Sequence, residues 1–253
     1  MELTPVTFLI VCPLLFLAGI IDAVGGGGGL ISIPAYLIAG LPPHMAVATN
    51  KLSSTCGTLL ATLRFIKNRL INFKLAIPSV FAAILGSSLG ARISMLVPEE
   101  MMLYILVFIL PVSAFLVLNK KLFHDHGKAE VSLDRKTYLT AVLSAFFIGS
   151  YDGFYGPGTG TFLIIAFTVF AHLSIRTSNA QAKIINLTTN VTALVIFLLN
   201  GRVLLTLGIA AALCNMAGGY LGAGLVMKNG AKIVKPSILF VLFLLLFKIF
   251  GIY

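Results

Sequence analysis

Acidic residues are scarce in this chain. Its 253 residues hold eight Asp and Glu against 18 Lys and Arg, and charged side chains make up 10% of the total. A soluble domain carries roughly 25% charged residues. With 58% hydrophobic residues and a mean hydropathy of +1.04, a chain of this length cannot hide its apolar surface in a water-soluble core. A soluble globular protein is thereby excluded. Tryptophan is absent, so any interfacial aromatic belt must come from Tyr and Phe. The three cysteines, Cys12, Cys56 and Cys214, lie in apolar segments and offer no disulfide or zinc framework. The four histidines, His44, His124, His126 and His172, form no cluster at metal-ligand spacing and no Ser–His–Asp arrangement. No metal, cofactor or enzymatic activity is expected. The net charge of +10 would suit nucleic acid, but the basic residues neither line one face nor alternate with aromatics, so no nucleic-acid partner is expected. Met1–Thr4 hold no Lys or Arg. The apolar stretch 5–21 therefore lacks the basic leader of a signal peptide and reads as a first membrane segment.

Hydrophobic runs are abundant. Five fall in the first half, at 5–22, 30–39, 45–66, 73–96 and 100–118, and five in the second, at 137–152, 161–173, 178–199, 203–227 and 236–252. Several have the roughly 20 apolar residues that a bilayer crossing needs. The chain reads as an all-α, multi-pass protein of the cell (inner) membrane, with the lipid bilayer as a partner and self-association left open. Residues 119–136 are the only long polar stretch. They divide repeat 1, at 1–118, from repeat 2, at 137–253. If all five segments of each repeat cross, one side holds 13 of the 18 Lys and Arg. If the short segments 30–39 and 161–173 turn back instead, the split is 11 to 5. The positive-inside rule favours five crossings. An odd number makes the second repeat enter from the opposite side, giving inverted repeats with both termini outside.

Matching motifs support the duplication. Gly19-x-x-Asp22 followed by Gly25, Gly26, Gly27, Gly28 and Gly29 returns as Gly149-x-x-Asp152 followed by Gly156-Pro157-Gly158-Thr159-Gly160. Lys51 returns as Lys183, and the Gly86/Gly90 pair returns as Gly218/Gly222, each 132 residues on. Five consecutive glycines disfavour a helix by about 1 kcal/mol each relative to Ala. At membrane depth, unwound backbone must line protein or a wet cavity. The expectation is a broken or re-entrant helix in each repeat, with half-helices starting near Leu30 and Thr161. Their N-terminal amides and dipole ends would meet as an anion site. Broken hydrophobic segments at matching positions in two halves point to a secondary transporter's binding site. The spacing of Gly86/Gly90 and Gly218/Gly222 reads instead as close helix crossing.

Lys51 and Lys183 are ionisable groups in apolar segments, and such groups are expensive and functional by default. Around them lie Thr49, Asn50, Ser53, Ser54, Thr55 and Thr58 in one repeat, and Asn186, Thr188, Thr189 and Asn190 in the other. Snorkelling of the lysines to the interface is the bland alternative. Asp22 and Asp152 could cap the half-helices, pair with Lys51 or Lys183, or carry a proton. Cys56 reads as a packing thiol.

At these residues the chain resembles the TauE/SafE family of sulfite exporters and toluene-sulfonate permeases. The likeness runs through Ala18-Gly19-Ile-Ile-Asp22-Ala-Val-Gly25-Gly-Gly-Gly-Gly29, Gly40-Leu-Pro-Pro43 and Ala48-Thr49-Asn50-Lys51-Leu. It continues through Gly149-x-x-Asp152-Gly153-Phe154-x-Gly156-Pro157-Gly158-Thr159-Gly160 and Ala182-Lys183-x-x-Asn186-x-x-x-Asn190. The resemblance implies a transporter of small sulfur-containing anions such as sulfite or sulfonates. It implies a site made of the glycine breaks with Asn50, Lys51, Lys183, Asn186 and Asn190. A membrane-embedded sulfur-handling protein using Cys56, or a passive anion channel, are the alternatives.

Overall fold

The computed structural model describes residues 3–98, 100–102, 104, 105 and 134–229. Every regular element among them is an α-helix. In chain order these are α1 (Pro5–Gly25), α2 (Gly29–Ile38), α3 (Pro43–Lys67), α4 (Phe73–Leu96), α5 (Arg135–Phe154), α6 (Thr159–Val169), α7 (Ile175–Leu199) and α8 (Leu205–Asn229). The expected polar linker, up to residue 133, and the fifth segments of the repeats lie outside the described residues, apart from a helical stretch at 100–102, 104 and 105.

Local sequence sets the helix starts. Proline opens α1 and α3, where its missing N–H costs nothing and its fixed φ suits the first turn. The Asn72 side chain accepts from the amides of Lys74 and Leu75 to cap α4. Ser174 accepts from Thr177 to cap α7. Asp134 accepts from the Thr137 amide at 2.8 Å, and the Thr137 hydroxyl first and this amide second hold its exposed carboxyl below the usual carboxylate range. Each such bond satisfies an amide that the helix itself leaves open. Asp134 thereby starts α5 at Arg135, two residues ahead of the sequence expectation.

Among the described residues four helices are long and apolar enough to cross a membrane: Pro5–Gly25, Phe73–Leu96, Ile175–Leu199 and Leu205–Lys228. Large apolar side chains face outward on α1, α4, α5 and α8, among them Leu9, Phe81, Phe147 and Leu213, each more than 60% exposed. In water such a surface would aggregate; in lipid it is the correct solvent. With 10 and 11 residues, α2 and α6 extend only about 15 Å, half the hydrocarbon thickness.

The first four and last four helices interlock. The most extensive contacts are α4 against α5 and α1 against α8, so the fourth helix of each set packs on the first helix of the other. Glycine makes both crossings close. Gly86 and Gly90 lie against the carbonyls of Phe146 and Ser150, and Gly218 and Gly222 against those of Phe16 and Ile20. A methyl group at any of the four would collide with backbone. These are the small-residue crossings expected from the sequence. Among the described residues two apolar clusters form the interior. The larger includes Val24, Ile33, Phe65, Leu163, Phe167 and Ile185, and the smaller Val11, Leu15, Tyr36 and Leu207. Among the largest fully buried side chains are two lysines, Lys51 and Lys183. Lys is almost never fully buried unless paired, so these mark the site.

Candidate functional site

Two interruptions bring the site together. α1 remains helical through Gly25, and α2 already starts at Gly29. The first break is thus only Gly26–Gly28, shorter than the five-glycine run. Gly26 sits at φ 77° and donates its amide to the Asp22 carbonyl at 2.8 Å. This left-handed C-cap closes α1 and is a conformation that suits glycine. The second break separates α5 from α6. Its Gly158 is left-handed, and the new helix starts at Thr159 rather than near Thr161. Neither α2 nor α6 has a side-chain cap at its N-terminus.

The breaks touch. Gly26 lies against the backbone of Gly160 and Thr161, and Gly29 lies against Pro157. The Thr161 hydroxyl donates to the Gly25 carbonyl at 2.7 Å. The Asn179 amide donates to the carbonyls of Ala23 and Val24 at 3.2 and 3.0 Å. These bonds fasten the end of α1 to α6 and α7 and occupy carbonyls that the helix end would leave open.

Where the breaks meet there is a small polar cavity of about 20 Å³. It has room for about one water-sized group, far below the roughly 300–1,000 Å³ of a drug-sized ligand's pocket. Its wall holds Gly26, Gly29, Gly156, Thr159 and Gly160 from the breaks, Asn50 and Lys51 from α3, and Asn186 and Asn190 from α7. Asp22 and Asp152 complete it, together with Ser54. Ser54, which the sequence offered only as a neighbour of Lys51, is the wall residue not expected at the site. Its signal was spacing, for it lies one turn after Asn50 and donates to Asn50 Oδ1 at 3.2 Å. In the same way Asn190 Nδ2 donates to Asn186 Oδ1 at 3.0 Å. With their oxygens engaged, Asn50 and Asn186 are left with N–H groups for the cavity.

Five of the expected residues stand behind the wall. Gly25 ends α1, and Gly27 and Gly28 form the turn into α2, with Gly28 packed on the Asp22 side chain. Gly158 sits by the Phe162 ring. Lys183 is fully buried and bound to Asp22.

The charges pair across the two halves. Lys183 Nζ is 2.7 Å from Asp22 Oδ2, which also accepts from Thr58 Oγ1 at 3.5 Å. Lys51 Nζ is 3.1 Å from Asp152 Oδ2. That second contact is out of line for a good hydrogen bond, and Asp152 Oδ2 is buried with no other donor. Pairing, not capping, is therefore what both carboxylates do. The lysines are neither free nor snorkelling. The four ionised side chains sum to zero, so the positive potential offered to a guest comes from the half-helix ends and side-chain amides. Among the described residues no group of three or more His, Cys, Asp or Glu is placed to hold a metal.

A helical membrane protein with two abutting helix breaks around a polar, internally ion-paired cavity has the form of a membrane transporter. Residues 11–249 match the family described as sulfite exporter TauE/SafE, and the chain belongs to that family. It is similar to a probable membrane transporter protein of Haemophilus influenzae, 34% identical over 231 residues, which cover 91% of this chain and 89% of the relative. It is also similar to the probable membrane transporter protein ORF9 of a Sinorhizobium species, 35% identical with 89% and 85% of the two chains covered. The probable membrane transporter protein YfcA of Escherichia coli K12 is 32% identical with 89% and 82% covered. No solved structure matches the chain.

Proposed function

We propose that this protein is a secondary carrier that moves a small sulfur-containing anion, sulfite or a sulfonate, across the cell (inner) membrane. The anion binds where the two glycine breaks meet. Residues 1–118 and 137–253 act as inverted repeats that rock about that point. The observation that carries the reading is the wall itself. Two half-helix N-termini, the amides of Asn50 and Asn186 and the Lys51 ammonium converge on one cavity. A small oxyanion wants several donors and positive charge at once. The family's description as sulfite exporters supports sulfur oxyanions as the class.

The test is sulfite flux into liposomes holding the purified chain. A carrier gives flux that saturates with sulfite and is competed by a short alkyl sulfonate. Flux that stays linear with concentration would favour the channel reading. The absence of sulfite and sulfonate flux, with phosphate or another anion carried instead, would overturn the substrate class.

A further inference from the structure

Adding an anion to this cavity raises a problem of charge. Lys51 and Lys183 are matched one for one by Asp152 and Asp22. A bound monoanion would leave an excess negative charge in a buried site, beside two carboxylates. Uncompensated buried charge is avoided by neutralising a titratable group. Two features single out Asp152. Its carboxylate is the partner that withholds Lys51, the one lysine on the cavity wall. Its side chain is 3% exposed, and its Oδ2 meets the Lys51 ammonium at 3.1 Å, out of line for a good hydrogen bond, and no other donor. A buried anionic oxygen held by one poorly aligned ammonium is less well satisfied than one with several donors. Asp22, by contrast, holds Lys183 at 2.7 Å and accepts from Thr58.

We propose, resting on the anion site above, that Asp152 is a proton-binding site and that the protein is an electroneutral proton–anion carrier. The proton adds to Asp152 Oδ2 and makes a neutral carboxyl. Lys51 is released from its carboxylate and turns its ammonium to the incoming monoanion. The four side chains and the guest then again sum to zero. On the far side the anion leaves, the proton follows, and the Lys51–Asp152 pair re-forms.

The charged and titratable groups around Asp152 are consistent with one proton. Lys51 comes from α3, and Asp22 from α1 shares the cavity wall. Lys183 of α7 is engaged by Asp22, and Arg176 of α7 is exposed. On α4, Lys74 and Arg92 are exposed. α6 has no titratable side chain, and Tyr151 and Tyr155 flank Asp152 on and just after its own helix.

The experiment is calorimetric titration of the full chain in lipid nanodiscs with methanesulfonate and sulfite. It is run at one pH in two buffers of different ionisation enthalpy, with protonation of free sulfite subtracted. The expected result is uptake of about one proton per bound monoanion. Where one proton is taken up with the anion, affinity falls about tenfold per pH unit. Asp152→Asn is expected to bind the anion more tightly at neutral pH and to take up no proton. Anion binding without proton uptake in the wild-type chain would overturn proton coupling and leave the anion site standing. So would affinity that follows sodium rather than acid, or undiminished uptake in Asp152→Asn. Failure of both probes to bind at every pH would overturn the anion site and the coupling together. The wild-type proton count decides the matter even where the variant does not fold.

Discussion

Lys51 and Lys183 occupy matching positions 132 residues apart, and both are fully buried against an Asp of the opposite half. Their surroundings nevertheless differ. Lys51 forms part of the cavity wall, while Lys183 stands behind it. The Lys183–Asp22 pair is short, aligned and supported by Thr58. The Lys51–Asp152 pair is longer and unaligned. The two ion pairs hold matching positions in the sequence, yet one is enclosed and the other lies on the cavity wall. A well-made buried pair resists opening because each ion alone would be stranded in a low-dielectric interior. A poorly aligned pair on a polar cavity has less to lose when its partner is exchanged.

The largest effects break this comparison directly. Lys51→Ala is expected to reduce sulfite flux in liposomes by at least about 100-fold, since it removes the cavity's ammonium and strands Asp152. A stranded buried partner also costs about 3–5 kcal/mol of stability. Lys183→Ala carries a similar stability loss by the same logic. The double variants separate the roles. Asp22→Asn is expected to restore stability and a substantial part of the flux to Lys183→Ala, because together the two changes remove a brace and its charge. Asp152→Asn is expected to restore stability but not flux to Lys51→Ala. Denaturation midpoints and initial rates for the four single and two double variants close two thermodynamic cycles. Equal rescue of flux in both would erase the distinction between brace and wall.

A smaller effect sharpens a second asymmetry, between the breaks. Gly26 and Gly158 both have positive φ, 77° and 82°. A methyl group on Gly26 would run into the backbone of Gly160 and Thr161, whereas at Gly158 the nearest atoms are ring carbons of Phe162 at 3.8 Å. Gly158→Ala therefore meets only the conformational penalty, about 1–2 kcal/mol. Gly26→Ala adds a collision between two backbones that cannot give way. It is expected to separate the breaks and abolish flux, with a midpoint well below that of Gly158→Ala. Similar midpoints would show that the breaks do not rely on touching.

Much of this was legible in the sequence, for physical reasons. Long apolar runs can be only a few things, so membrane helices were readable, and the glycine pairs on α4 and α8 announced close crossings. The breaks were readable because glycine and proline act locally. Their exact extent was not. Whether Gly25 stays in a helix depends on what receives the α1 end, and Asn179, 154 residues away in the chain, helps to do so. Nine of the fourteen residues expected to contact a guest do line the cavity. Lys183 does not, because repeat symmetry predicts position and not the slant of a side chain toward its partner. The crossed pairing of Lys51 with Asp152 and Lys183 with Asp22 was open for the same reason. The sequence placed each Asp and Lys, but only the interlocking of the helices decides which pairs meet.

A third difference, between Asn50 and its support, predicts a modest effect. Ser54 holds Asn50 through one hydrogen bond. Its loss in Ser54→Ala removes about 1 kcal/mol, expected as roughly a fivefold rise in the half-saturating sulfite concentration with the maximal rate kept. A fall in maximal rate instead would mean that Ser54 takes part in the movement and not in orienting Asn50.

The smallest expected effect tests chemistry rather than geometry. Cys56 follows Ser54 and Thr55 on α3 but is absent from the cavity wall, and its thiol is free and half-buried. Cys12 and Cys214 are also free, and they face a different, apolar groove between α1 and α8. A protein that handed sulfur to a partner through a thiol would need a reactive cysteine at the guest. A carrier that recognises its guest by charge and hydrogen bonds needs none. Serine conserves most of the volume and the donor capacity of Cys56, so Cys56→Ser is expected to leave sulfite flux within about twofold of wild type, a free-energy change of about 0.4 kcal/mol. The comparison that matters is with Ser54→Ala, two residues earlier on the same helix. Sulfite flux lost in Cys56→Ser but kept in Ser54→Ala would move the working chemistry from the amide-lined wall to the thiol, and with it the protein from carrier to sulfur-handling intermediate.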